Sequence, residues 1–167
     1  METILGIDPD RGWALALNRK IISAGTVKGM ENLKTIICDI GAYSREGRRK
    51  LLIRIERPKN LKTFPRPGVS VAVNMKISHN CGMNYQKATD LGEYCAKLGL
   101  RYEFVVPARR KLSAKEVREI TGYQGRTSQH ARVAIMLSTR KTCLSADMAL
   151  PAACLSTRQG RQEVKTK

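Results

Sequence analysis

Apolar residues fall in short runs along this chain, and their spacing differs from one segment to the next. Thr3 to Asp8 reads Thr-Ile-Leu-Gly-Ile-Asp, a continuous apolar run of strand length, and Gly12 to Leu17 is a second such run. Asp8-Pro9-Asp10-Arg11 has turn chemistry between them. A third strand, Ile21 to Val27, follows a turn at Asn18 to Lys20, so the first three strands form an antiparallel meander. The period then changes. Leu33, Ile36, Ile37 and Ile40 stand at i, i+3, i+4 and i+7, one stripe of a helix, with Gly41 near its end. Leu51 to Glu56 is again a strand. A helix separates it from the meander, so it joins the sheet parallel to the first strand through a crossover.

Pro58, Pro65, Pro67 and Gly68 predict a long loop from Arg57 to about Met75. A helix is expected from about Asn84 to Lys97, ended by Gly99, and a fifth strand from Arg101 to Val106, closed by Pro107. Ser113 with Glu116 is a capping-box pair opening a helix that Gly122 stops. Another helix covers Ser128 to Ser138, and a last one begins near Asp147, with Pro151 tolerated in its first turn. The order predicts an α/β domain: a five-stranded mixed sheet flanked by helices on both faces. Residues 1–158 form this single domain, and 159–167 a polar basic tail.

Composition narrows the class. Of 167 residues, 31 are Lys or Arg and 14 Asp or Glu, a formal charge of +17 that attracts polyanions, with nucleic acid the leading partner. Aromatics are 5% of the chain, too few for a stacking platform along single strands, so phosphate contacts dominate. The longest apolar runs fall far below the ~20 residues of a bilayer span. No basic segment followed by an apolar stretch opens the chain, and a cytoplasmic setting is expected. Cys38, Cys81, Cys95, Cys143 and Cys154 are odd in number and scattered, which fits reduced thiols; Cys81 near His79 lacks the partners of a zinc site.

Two acids stand out in so basic a chain. Asp8 finishes Ile4-Leu5-Gly6-Ile7, and Glu56 finishes Leu52-Ile53-Arg54-Ile55. If these strands are parallel neighbours, both carboxylates meet at one edge of the sheet. Mg²⁺ is held by one or two hard carboxylates with water and phosphate oxygens, so the pair suits a phosphodiester substrate. Two such ions, ~4 Å apart, would activate water and stabilise the leaving oxygen. Alone, each acid reads as a strand-end or turn carboxylate.

Ile4-Leu5-Gly6-Ile7-Asp8-Pro9-Asp10 with Gly12, then Ile53-Arg54-Ile55-Glu56, then Ser145-Ala146-Asp147-Met148-Ala149-Leu150, resemble the acidic motifs of RuvC-type Holliday junction resolvases. The resemblance extends over nearly the whole chain. It implies an RNase H-like fold, a homodimer, four-way DNA junctions as substrate, and Mg²⁺ or Mn²⁺, two ions per site, held by Asp8, Glu56 and Asp147. Family members usually have Gly at the position of Asp10, and Asp or His at that of Leu144. His130 is a further candidate ligand, since some members use a histidine in another register; in that register the family acid falls at Val133. Asp10, just past the strand end, is the other candidate for that ligand position, although it is expected to face solvent in its turn.

Arg109, Arg110, Lys111, Lys115, Arg118 and Arg126 are candidate phosphate contacts. A Lys stands in the family where Arg126 aligns; Arg binds phosphate bidentately without giving up a proton, which favours electrostatic stabilisation. Phe64 matches the family's loop aromatic, a candidate wedge against unpaired bases. Trp13 reads as core. The resulting expectation is a metal-dependent endonuclease that symmetrically nicks four-way junctions. The alternatives are a related nuclease on RNA, an RNA/DNA hybrid or a flap, and a junction binder without catalysis.

Overall fold

A computed structural model of the chain describes residues 2–47, 49–58, 67–108, 110–139 and the backbone of 148–149. Strands β1 (Glu2–Asp8), β2 (Gly12–Leu17) and β3 (Lys20–Thr26) form the antiparallel meander. Helix α1 (Met30–Glu46) carries the chain across to β4 (Lys50–Glu56), which pairs parallel to β1. Helix α2 (Val71–Lys97) then leads to β5 (Tyr102–Val105), parallel to β4. Helices α3 (Ala114–Thr121) and α4 (Gln129–Thr139) follow. The sheet order is β3-β2-β1-β4-β5-β6.

The five expected strands are all present. A sixth, β6 (Met148–Ala149), pairs antiparallel with β5, so these two residues are sheet rather than the opening of a last helix. The expected long loop also shrinks, because α2 starts at Val71. Its first half has no apolar stripe to reveal it: Val71, Val73, Met75 and Met83 are exposed, the polar Asn74 is the buried residue there, and buried apolar positions begin at Ala88. The tail at 159–167, Phe64, Arg109 and Asp147 lie outside the described residues.

Strand parity sorts the side chains into two layers. Leu5 and Ile7 of β1 and Leu51, Ile53 and Ile55 of β4 pack with Leu33 and Ile37 of α1 and Leu91 and Cys95 of α2. Each fully buried aliphatic side chain contributes ~1.5–3 kcal/mol. Trp13 packs partly buried against this cluster, as its setting suggested. The opposite face is floored by small residues, and α4 lies on it through Ala134 and Ile135, over Ala14 and Ala16 of β2. A Cβ on Gly6 would come within 2.1 Å of the Ala134 carbonyl oxygen, so this helix lies almost on the backbone of β1. The far end of α4 is fixed by buried Arg54, which donates to the Leu137 carbonyl (3.1 Å) and pairs with Glu103 on β5.

Candidate functional site

The parallel register runs Gly6↔Arg54 and Ile7↔Ile55, so Asp8 and Glu56 are the next residues on neighbouring strands. Ile7 and Ile55 belong to the α1–α2 layer, and alternation turns both acids toward α4. The two carboxylates that close apolar runs in the sequence therefore occupy one edge and one face of the sheet.

Asp8 is 6% exposed. Its Oδ1 accepts the Asp10 backbone N–H (3.0 Å), which shapes the turn into β2. Its Oδ2 lies 2.9 Å from His130 Nδ1. A carboxylate only accepts, so the Nδ1 hydrogen donates to it. His130 is the second residue of α4, a helix whose first turn is held by the Ser128 hydroxyl accepting from Ala131 N–H (3.2 Å). Gly12 permits this approach: a Cβ there would stand 2.2 Å from the His130 carbonyl oxygen. The glycine that follows the acidic turn in the motif is thus what lets the histidine reach the aspartate.

Asp10 keeps 33% of its side-chain surface exposed in its turn but is also engaged from three sides. Its Oδ1 accepts from Lys87 Nζ of α2 (3.2 Å), and its Oδ2 lies 3.5 Å from His130 Nε2 and 3.7 Å from Arg11 Nε. Partial burial pushes its carboxyl upward, but the Lys87 hydrogen bond and the charges of Lys87, His130 and Arg11 outweigh this and hold it below the ordinary aspartate value. Asp10 therefore joins the two layers at the tip of the β1–β2 hairpin, with a lysine from one helix and a histidine from another. Sequence reasoning missed Lys87. The available signal was its position one residue before Ala88 and one turn before Leu91, on the flank of the stripe that faces the sheet.

Glu56, half-buried, borders a groove floored by Val106, Pro107, Leu112, Val133 and Met136. Val133, where the alternative register placed an acid, is part of that apolar floor. Arg57, the next residue, stacks on the Phe104 ring at 3.6 Å and lies 5.3 Å from the Tyr85 ring, which holds a cation beside the acid edge. Among the described residues no three His, Cys, Asp or Glu side chains are arranged to hold a metal ion. Asp8 and Glu56 are hard oxygen donors, one or two of which suffice for Mg²⁺.

Arg110 and Lys111 line the rim of the Glu56 groove. Arg110 pairs with Glu116, whose carboxyl also accepts the Ser113 N–H (2.7 Å) in the capping box of α3. Lys111, Lys115, Arg118 and Arg126 are exposed. Arg132, half-buried in α4, instead braces the fold by donating to the carbonyls of Leu112 (3.0 Å) and Thr127 (3.1 Å).

No family model matches the chain, and no curated protein matches it. Among solved structures, the chain is similar to RuvC of T. thermophilus in complex with a Holliday junction substrate, with 16% identity and a TM-score of 0.44 over 83% of this chain and 91% of that one. It is also similar to a second Thermus thermophilus RuvC structure, with 14% identity and a TM-score of 0.42 over 82% of this chain and 91% of that one.

Proposed function

We propose that this chain is a divalent-metal-dependent endonuclease with an RNase H-like fold that nicks four-way DNA junctions by phosphodiester hydrolysis. The observation that carries this reading is the placement of Asp8 and Glu56 on adjacent parallel strand ends, turned to the same face, in a chain of charge +17. The three acidic motifs and the strand order β3-β2-β1-β4-β5 support it.

Asp8 and Glu56 would hold the cation, with Asp147 as the third carboxylate. When bound, Mg²⁺ or Mn²⁺ lowers the pKa of an attacking water and neutralises charge on the leaving oxygen. The chain's own groups do the rest. His130 fixes the rotamer of Asp8, and the Lys87–Asp10 pair fixes the turn that carries both. Lys111, Lys115, Arg118 and Arg126 supply phosphate contacts, and Arg109 and Arg110 are assigned the same role. Phe64 is assigned to the junction centre as a stacking ring. Symmetric nicking requires paired sites, hence a homodimer, and exposed Val71, Val73 and Met75 on α2 offer apolar surface for it.

The test is incubation of a mobile four-way junction with the protein in Mg²⁺, beside binding in EDTA. Paired symmetric nicks, abolished in Asp8→Asn with junction affinity kept or strengthened, are expected. Cutting of an RNA/DNA hybrid but not the junction would assign the site to another substrate. Binding without any cut would make the chain a junction binder without catalysis.

A further inference from the structure

We infer that the sheet edge opposite the acid pair is a second DNA-backbone contact surface, built from Arg19, Lys20, Arg45, Arg49 and Lys50. Backbone pairing brings these residues together. The β2–β3 turn is bound to the start of β1 by Asn18 N–H donating to the Glu2 carbonyl (2.9 Å) and Glu2 N–H donating to Asn18 Oδ1 (3.2 Å). Glu2 is the register partner of Lys50 on β4. Arg49 N–H in turn donates to the Ser44 carbonyl at the end of α1 (2.9 Å), beside Arg45. The edge lies ~20 Å from Asp8, since β1 rises ~3.3 Å per residue along its length. That spacing separates it from any contact the acid edge makes with its own phosphate.

Among the described residues none of the five cations is in an ion pair, although Glu2 and Glu46 lie in the same segments. Arg45 has a local reason to be there, because a cation in the last turn of α1 complements the helix dipole. Arg49 stacks 5.0 Å from the Tyr43 ring. Arg19 has the reverse of a local reason. Asn18 and Arg19 have φ of 47° and 68°, the left-handed conformation of a two-residue hairpin turn. Asn tolerates it, but the second position favours Gly and penalises a residue with a Cβ. Arg19 accepts that strain and presents an unpaired guanidinium at a hairpin tip whose backbone is pinned. A local rule broken in favour of an exposed charge is the pattern of a contact residue rather than of a solvated surface. Arg, with its bidentate fork, suits phosphate. No helix of the described residues is long and apolar enough to cross a membrane, and apart from the last turn of α1 that carries Arg45 these segments present a hairpin and a strand start rather than the long basic face of an amphipathic helix for a lipid surface.

This surface does not depend on cleavage, and its test reads binding alone. Anisotropy of a fluorescent DNA duplex three helical turns long is measured in EDTA across a salt series. The variants are Arg19→Gly and a quadruple substitution, R19G/K20Q/R45Q/K50Q. The quadruple variant is expected to flatten the slope of log affinity against log salt by ~0.9 per lost contact and to weaken binding by more than about tenfold at low salt. Arg19→Gly should weaken binding while its melting temperature stays level or rises, an outcome no structural role would give. Asp8→Asn should leave the slope unchanged, which separates this surface from the acid edge. Wild-type slope and affinity in the quadruple variant would overturn the inference. So would a fall in melting temperature in Arg19→Gly, or loss of binding to phosphatidylserine vesicles with duplex binding intact.

Discussion

Gly12→Ala tests how the fold aims His130 at Asp8. The added methyl would stand 2.2 Å from the His130 carbonyl oxygen and 2.5 Å from its carbonyl carbon, both backbone atoms that no rotamer change can move. An ordinary carbon–oxygen approach is ~3.3 Å, so the first turn of α4 must retreat by ~1 Å. The Asp8–His130 contact, now 2.9 Å, would stretch to ~4 Å and cease to be a hydrogen bond. Overpacking of this kind costs ~1–3 kcal/mol, and each kcal/mol lowers the melting temperature of a domain this size by ~2–4 °C. A ~1 Å misplacement at a reacting centre costs ~10²-fold in rate. The assay is single-turnover junction cleavage beside a circular-dichroism melt, for Gly12→Ala, His130→Ala and the pair. If glycine acts by seating the histidine, the double variant cuts no more slowly than His130→Ala, because the second change has nothing left to disturb. Wild-type cutting and melting in Gly12→Ala, or rate losses that multiply in the double variant, would refute the reasoning.

Further outcomes follow from individual groups. Arg54→Leu strands the largely buried Glu103 and leaves the Leu137 carbonyl without its donor, and should cost ~3–5 kcal/mol in a thermal melt; R54L/E103L should recover much of this. In the α3 capping box, the Ser113 backbone and side chain and Arg110 hold the Glu116 carboxyl down at about 2 from an ordinary 4.5. Its stabilising contribution is therefore full above the ordinary value and disappears as pH falls toward the lowered one; the melting difference between wild type and Glu116→Gln should shrink over that window and vanish below it. Burial pushes the Cys95 thiol up to about 12 from 9.0, so native Cys95 should resist a thiol reagent at neutral pH while the half-buried Cys38 and Cys81 react, as peptide mapping of the labelled protein would show. The same shift makes its contribution fully present below the ordinary thiol value and lost as pH rises from there through the raised value of about 12.

The strands and most of the helices were legible because one-sided burial imposes a period on the residues that form them. Leu33 and Ile37 of α1 are fully buried where the stripe put them, and β1, β2 and β4 end at the acids and turns that the pattern marked. The first half of α2 was not legible, since its one buried residue is the polar Asn74 while Val71, Val73 and Met75 are exposed, so no apolar stripe marks it and the preceding prolines read as loop. Asp8 and Glu56 could be picked out because a carboxylate closing an apolar run is costly unless it has a partner. Lys87 and the engagement of Asp10 could not, because they depend on how α2 is rotated against the hairpin, a property of packing rather than of local sequence. His130 lay between these cases: its helix was evident, but its reach to Asp8 rests on the missing side chain of Gly12.

The central claim, that two acids on neighbouring strand ends share a divalent cation, is tested most directly by titrating Mn²⁺ into the protein bound to an uncleavable phosphorothioate junction and following free Mn²⁺ by electron paramagnetic resonance. Asp8→Asn and Glu56→Gln should each weaken binding at least tenfold, and the double variant should lose little more than either alone. Unaltered Mn²⁺ affinity in Glu56→Gln, with Asp8 intact, would contradict it.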